Sequence, residues 1–433
     1  MPFLRAAAPA VVALLLALLV LKQAVWSSAA VAQPRELMYG EAVLYDHAAR
    51  LLRGQALYQP LDRAPFTITI YTPLYYWAVA GLRAAVGPGF GPGRVLSSVA
   101  VLAAAALVGT LTAQRLGRPG PGLFGALLFL GLGISGIEPF PWSALYKEDL
   151  LGVALSLGAV AALTGGTSRR RLVLAASLAA LAFLTKQTFV AAGLAGALWL
   201  WRRDRPGAVL FVGTGLSLAL GVCGALQLTT GAFLANTVAG NANPFSKEAL
   251  QTNLALSLPL QGGLLALASL YLLRRGRVRP LDDLVEVYFW AAAVPLVGLA
   301  KVGSNYNYWL ELAAVSSVLG THGLWLGRPD LGARPAALLR WLSLAAVVLV
   351  GISVGVQSPR LWPSAVPAHE LQLVIERVRA EPRDVLAVPL DVVVLADRPV
   401  LLEPYVYSIR YNQGLWDPGP LVRRVCDGGV GLV

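Results

Sequence analysis

The feature that most constrains this chain is a succession of apolar runs, each long enough to cross a bilayer, joined by short arginine-rich links. The runs lie at about 9–26, 95–113, 119–136, 149–164, 207–228, 255–273, 284–300, 307–326 and 336–356. A hydrocarbon layer of about 30 Å requires roughly 20 apolar residues in a helix. The stretch 171–201 is too long for one span and carries Lys186-Gln187 at its middle. A single helix there would bury a lysine at mid-membrane, at a cost of several kcal/mol. It reads instead as a hairpin of two short helices with Lys186 at its outer tip, which brings the count to about eleven spans.

Orientation follows from the links. With the N-terminus inside, Arg115 and Arg118, Arg169–Arg171, Arg202, Arg203 and Arg205, Arg274, Arg275, Arg277 and Arg279, and Arg328 and Arg334 all fall in the cytoplasm. The positive-inside rule asks for that arrangement. It requires that 71–86, short, aromatic and carrying Arg83, lies in the interface rather than crossing. The N-terminal run ends near Ala30-Val31-Ala32, so it is a retained span or a cleavable signal; both put residues 27–94 outside. Four of the five lysines, Lys147, Lys186, Lys247 and Lys301, then fall in outer loops. Residues 1–357 make the membrane domain. Beyond it, 358–433 reads as a small extracytoplasmic α/β appendage, with a helix over 369–380 and strands at Val385–Val388, Val392–Leu395 and Val400–Leu402. It ends on Gly431-Leu432-Val433 without a stop signal, compatible with a domain that continues.

The net charge of +12 does not point to nucleic acid, because the arginines cluster in short links between apolar runs, the pattern of cytoplasmic loops. Two cysteines and three histidines show neither disulfide nor metal spacing. No phosphate-cradling glycine loop, nucleophile elbow or His-Glu-x-x-His motif is present.

The outer loops hold what remains of the ionisable residues. Glu41 heads an amphipathic helix after Gly40 and is either functional or a carboxylate favoured by the helix dipole. Asp46 competes with it, but precedes Arg50 by four residues and stands about 140° around the helix from Glu41. Lys147-Glu148-Asp149 begins a span, and Lys186 needs an outer boundary or an anionic partner. Asn241 and Asn243 lie in a polar, glycine-punctuated loop suited to hydroxyl-rich ligands or to any turn. Lys301 precedes Ser304-Asn305-Tyr306-Asn307-Tyr308, and Glu311 shares a helix face with Asn307, as a site residue or as a buried partner of Lys301.

These features together resemble the GT-C membrane glycosyltransferases, which include protein O-mannosyltransferases and the aminoarabinose transferases. The resemblance is carried by Glu41 ahead of the Ala48/Leu51/Leu52/Gly54/Tyr58 helix, Tyr71-Thr72-Pro73-Leu74, and Asp149 at a helix start. Leu184-Thr185-Lys186-Gln187 in the short hairpin, and Asn305-Tyr306-Asn307-Tyr308 with Glu311, extend it over most of 9–326. The family usually has an Asp-Glu pair in the first outer loop; here Gly40-Glu41 stands there. The resemblance implies an all-α polytopic fold and inverting transfer of a sugar from a polyprenyl-phosphate donor to an acceptor hydroxyl on a glycan, lipid or protein. It also implies a site on the extracytoplasmic face of a bacterial plasma membrane. Expected roles are Glu41 or Asp46 as base, with Lys186, Lys301 and Lys147 on the donor phosphate. Asp149, Tyr71, Asn241, Asn243, Asn305, Asn307 and Glu311 would border substrate. Some family members are metal-assisted, so a divalent ion (Mg or Mn) held by Glu41 and Asp149 enters the expectation. A transporter or flippase of a lipid-linked saccharide is the alternative; it should carry ionisable groups along a complete crossing path.

Overall fold

The computed structural model describes residues 2–134, 142–275, 282–325, parts of 338–352, and 368–432. Among them, four helices are long and apolar enough to cross a membrane: Ala10–Ala32 within α1 (Pro2–Ala32), α4 (Gly91–Leu116), α9 (Arg205–Thr230) and α10 (Lys247–Arg274). At 1.5 Å per residue the 26 residues of α4 or α9 reach about 39 Å, ample for the hydrocarbon layer. The shorter apolar helices are α5 (Pro119–Leu128), α6 (Asp149–Thr164), α7 (Arg169–Thr185), α8 (Ala191–Arg203), α11 (Leu284–Ala293) and α12 (Trp309–Trp325).

The described part of the run at 119–136, and the run at 284–300, keep their helical course but change winding. After α5 the chain widens into a π-helical turn, Phe129–Ile134, where Gly131 and Gly133 lower the cost of irregular backbone. After α11 it tightens into a 3-10 segment, Val294–Ala300, at Pro295, which has no N–H to give to an α-helical ladder. The last apolar run, 336–356, lies largely outside the described residues.

The core of the bundle is alanine- and leucine-rich and joins α4, α6, α7, α8, α11 and α12. Small residues let backbones approach: a Cβ on Gly122 of α5 would stand 2.6 Å from the Gly109 carbonyl oxygen of α4. Hydrocarbon gives no hydrophobic drive between helices, so close van der Waals contact must supply the association. The outer side of α9 leaves Val209, Leu216, Leu220 and Leu228 uncovered, a face that suits acyl chains and not water. The chain is an integral membrane protein.

Residues 171–201 form the expected hairpin, α7 and α8, with Lys186 in extended backbone at its turn. The segment 71–86 contains α3 (Leu74–Val86), 13 residues and about 20 Å long, too short to span. Before it lies α2 (Glu41–Leu52), which starts from Gly40 at φ 94°, a left-handed conformation that only glycine adopts without strain.

The appendage is more helical than its sequence pattern suggests. Helices occupy Ala368–Ala380, Asp391–Leu395, Pro404–Asn412 and Gly419–Cys426. Strand β1 (Asp384–Val385) pairs in parallel with β2 (Val430–Leu432), a strand the pattern did not mark. Val392–Leu395, expected as a strand, is a single helical turn, because a four-residue apolar run fits a buried helix as well as a strand. Leu402 bridges Phe66 of the segment between α2 and α3, and Leu390, Val394 and Val400 share a core with those two helices. The appendage therefore packs directly on the segment that carries α2 and α3.

Candidate active site

The helix ends sort by charge. Arg115, Arg169, Arg202, Arg203, Arg205 and Arg274 occupy one set of ends. The opposite ends of α6, α7 and the α11 continuation, with the start of α2, gather around a cavity of about 440 Å³. That volume lies in the roughly 300–1,000 Å³ range of small-ligand sites. Nine residues singled out from the sequence line it: Tyr71, Lys147, Asp149, Lys186, Asn241, Asn243, Lys301, Asn305 and Asn307.

At its floor two carboxylates share one ammonium. Lys186 Nζ donates to Glu148 Oε1 at 2.9 Å and to Asp149 Oδ1 at 2.7 Å, and all three residues are buried. Asn307 Nδ2 donates to the same Asp149 oxygen at 2.8 Å, and the Trp142 indole to the other at 3.3 Å. The Tyr71 ring stands 4.7 Å from Nζ, a cation–π contact that helps hold the charge out of water. Burial works to lower the Lys186 pKa, but Asp149 and Glu148 outweigh it and hold it well above the ordinary lysine range. Burial and the adjacent Asp149 push the Glu148 carboxyl upward. Two of the three Lys186 N–H groups are taken by these carboxylates, which ties the hairpin tip to α6.

The other two lysines are differently placed. Lys147 Nζ donates to the Tyr39 carbonyl at 3.2 Å, and Lys301 Nζ to Asn241 Oδ1 at 2.5 Å. Among the described residues neither has a carboxylate within ion-pair distance. Burial and the nearby Lys186 ammonium lower the Lys301 pKa to about 8. Lys147 leans over Gly40 so closely that a Cβ there would lie 2.6 Å from Nζ.

Both expected bases lie elsewhere. Glu41 is fully buried outside the cavity wall. It accepts from Arg94 Nε at 3.1 Å and Nη2 at 2.7 Å, and from the backbone N–H groups of Leu37 and Tyr146 at 2.6 Å each. A base needs a lone pair facing its substrate, and this carboxylate has none to offer. Asp46 is held by Arg50 at 2.9 Å and Arg53 at 3.2 Å, and accepts from the Val400 N–H. Glu311 lies beneath the Asp149–Lys186 pair, taking hydrogen bonds from Ser156 and from the Tyr288 hydroxyl at 2.9 Å, not from Lys301. A divalent metal does not fit this arrangement either. Among the described residues no three potential ligands cluster, Glu41 is apart, and Lys186 already bridges the Glu148–Asp149 pair.

The cavity also contains residues the sequence did not disclose. His47, from α2, lines it with neither ring nitrogen hydrogen-bonded, and burial holds its pKa well below the usual value. Glu403 and Tyr405 enter from the appendage. The signal for them is slight, an acid before a proline at a helix start.

No family model matches the sequence, and no curated protein matches it either. Solved structures match in shape. ArnT from Cupriavidus metallidurans in its apo state superposes with a TM-score of 0.56 at 15% identity, over 84% of this chain and 68% of that one. The same protein bound to undecaprenyl phosphate gives 0.57 at 12% identity, over 93% and 88%. The Archaeoglobus fulgidus oligosaccharyltransferase, in complex with Zn and sulfate, gives 0.52 at 14%, over 84% of this chain and 56% of its own. Matched over most of its length by these structures, the chain has the GT-C fold.

Proposed function

We propose that the protein is a membrane glycosyltransferase that moves a sugar from a polyprenyl-phosphate donor to an acceptor hydroxyl, at the extracytoplasmic face. The observation that carries this is the pair of lysines without carboxylate partners, Lys147 and Lys301, in one outer cavity with acids and asparagines. In the donor, phosphate is the leaving group and gains charge as the C1–O bond breaks; ammonium groups held in a partly dry site stabilise that charge. Lys301 and Lys147 take this role. Asn241, Asn243, Asn305 and Asn307 offer donors and acceptors to sugar hydroxyls. Lys186, Glu148 and Asp149 keep the floor rigid. The ArnT structure with undecaprenyl phosphate supports the donor class, and the clustering of arginine at the far helix ends supports the side.

A transporter is disfavoured by the far end of the bundle. There Arg115 donates to both Asp283 oxygens at 2.7 and 2.6 Å and to the Tyr271 hydroxyl at 3.0 Å, tying α4, α10 and α11 together. The test is release of polyprenyl phosphate by purified protein in nanodiscs, given a panel of undecaprenyl-phosphate sugars with glycoside, peptide and lipid acceptors. Turnover that falls at least tenfold in Lys301→Ala is the expected result. A wild-type protein inert towards every donor refutes the transferase assignment.

A further inference from the structure

We propose that Glu403, supplied by the C-terminal appendage, is the general base that takes the acceptor's proton. This rests on the glycosyl-transfer function proposed above and assigns a group that neither the N-terminal loop nor the membrane helices provide. The acceptor hydroxyl oxygen attacks the anomeric carbon, and the bond from that carbon to the phosphate oxygen breaks. Its electron pair leaves with the polyprenyl phosphate, and the hydroxyl proton passes to the Glu403 carboxylate.

Geometry selects this residue by elimination and by position. Of the carboxylates lining the cavity, Glu148 and Asp149 are tied to Lys186. Glu403 has no cation within ion-pair distance among the described residues. Its one hydrogen bond there is a long one, from the Ile68 N–H at 3.4 Å, so lone pairs remain for a substrate. Its backbone is fixed nonetheless: the Glu403 N–H donates to the Phe66 carbonyl at 2.8 Å, and the Phe66 N–H to the Leu401 carbonyl at 2.7 Å. This strand-like contact sets the carboxylate at the head of helix Pro404–Asn412, beside Tyr405, whose ring lies 5.6 Å from that of Tyr39.

The electrostatics suit the task. Burial raises the Glu403 pKa to about 7, with the Ile68 N–H, Lys147 and Arg50 pulling the other way. A base is most effective when its pKa lies near the working pH. The other titratable groups facing it, Tyr39, Tyr76 and Tyr407, stay neutral because burial raises each of them.

The experiment compares wild type, Glu403→Gln, Glu403→Asp and Glu148→Gln as full-length proteins in nanodiscs. Release of polyprenyl phosphate from the donor panel is followed, with undecaprenyl phosphate as the binding probe. Glutamine still accepts from Ile68, so the fold is kept. The expected result is a kcat lower by at least 100-fold in Glu403→Gln, with probe affinity and melting temperature within error of wild type. Partial recovery in Glu403→Asp, and a wild-type acid limb near pH 7 that vanishes in Glu403→Gln, would complete the signature. Undiminished turnover in Glu403→Gln overturns the assignment while leaving the transferase function standing, and loss confined to Glu148→Gln moves the role there. No turnover by wild type on any donor overturns the function itself.

Discussion

Glu41 shows what a single residue's sequence context conceals. At the head of an amphipathic helix it looks available, but its partner Arg94 is 53 residues away and equally buried. Arg94 also donates to the carbonyls of Ala30, Gln33 and Arg35 at 2.9, 2.6 and 2.7 Å, which stitches the first outer loop together. Removing the charge strands a buried guanidinium, at a cost of about 3–5 kcal/mol. Glu41→Gln should therefore lower the melting temperature sharply, while the folded fraction keeps its affinity for undecaprenyl phosphate; a stable but inactive variant would contradict this. Asp46 was more legible, since its i,i+4 spacing to Arg50 announced the ion pair. Lys301 makes a second prediction. Only its ammonium form holds a phosphate, and with its pKa lowered to about 8 that form is lost as pH rises through 8. Affinity for undecaprenyl phosphate should weaken between pH 7 and 9 in wild type and stay flat in Lys301→Arg, as titrations across that range would show.

At the scale of elements, hydropathy marked the four long apolar helices, and the cost of a buried lysine marked the hairpin turn, because bilayer thickness and buried charge act on composition alone. What they could not reveal is how closely elements approach. Gly152 of α6 faces Phe189 at the hairpin tip, where an added Cβ would lie 2.2 Å from a ring carbon. This contact holds the tip against α6 next to the Lys186–Asp149 pair. Gly152→Ala should cost about 1–3 kcal/mol through overpacking and reduce turnover. Adding Phe189→Leu should recover part of both, read from melting temperature and rate. The appendage was the least legible part, since runs of four or five apolar residues carry too little periodicity to separate strand from helix.

For the molecule as a whole, the appendage is bound to the segments flanking α2 by specific contacts. Arg35 donates to both oxygens of Asp391, at 2.8 and 3.2 Å, and the Tyr407 hydroxyl donates to the Leu61 carbonyl at 3.2 Å. Among the described residues, Arg35→Ala leaves buried Asp391 with the Glu36 N–H as the remaining hydrogen-bond donor to its side chain. Hydrogen exchange should then quicken over 391–403 and turnover fall, with undecaprenyl phosphate affinity unchanged; equal loss of both would mean that Arg35 supports the whole outer face. Glu403 and Tyr405 close the cavity from this late part of the chain. Under the role proposed for Glu403, a molecule cut before residue 391 would keep Lys147 and Lys301 in place yet lack the group that accepts the proton.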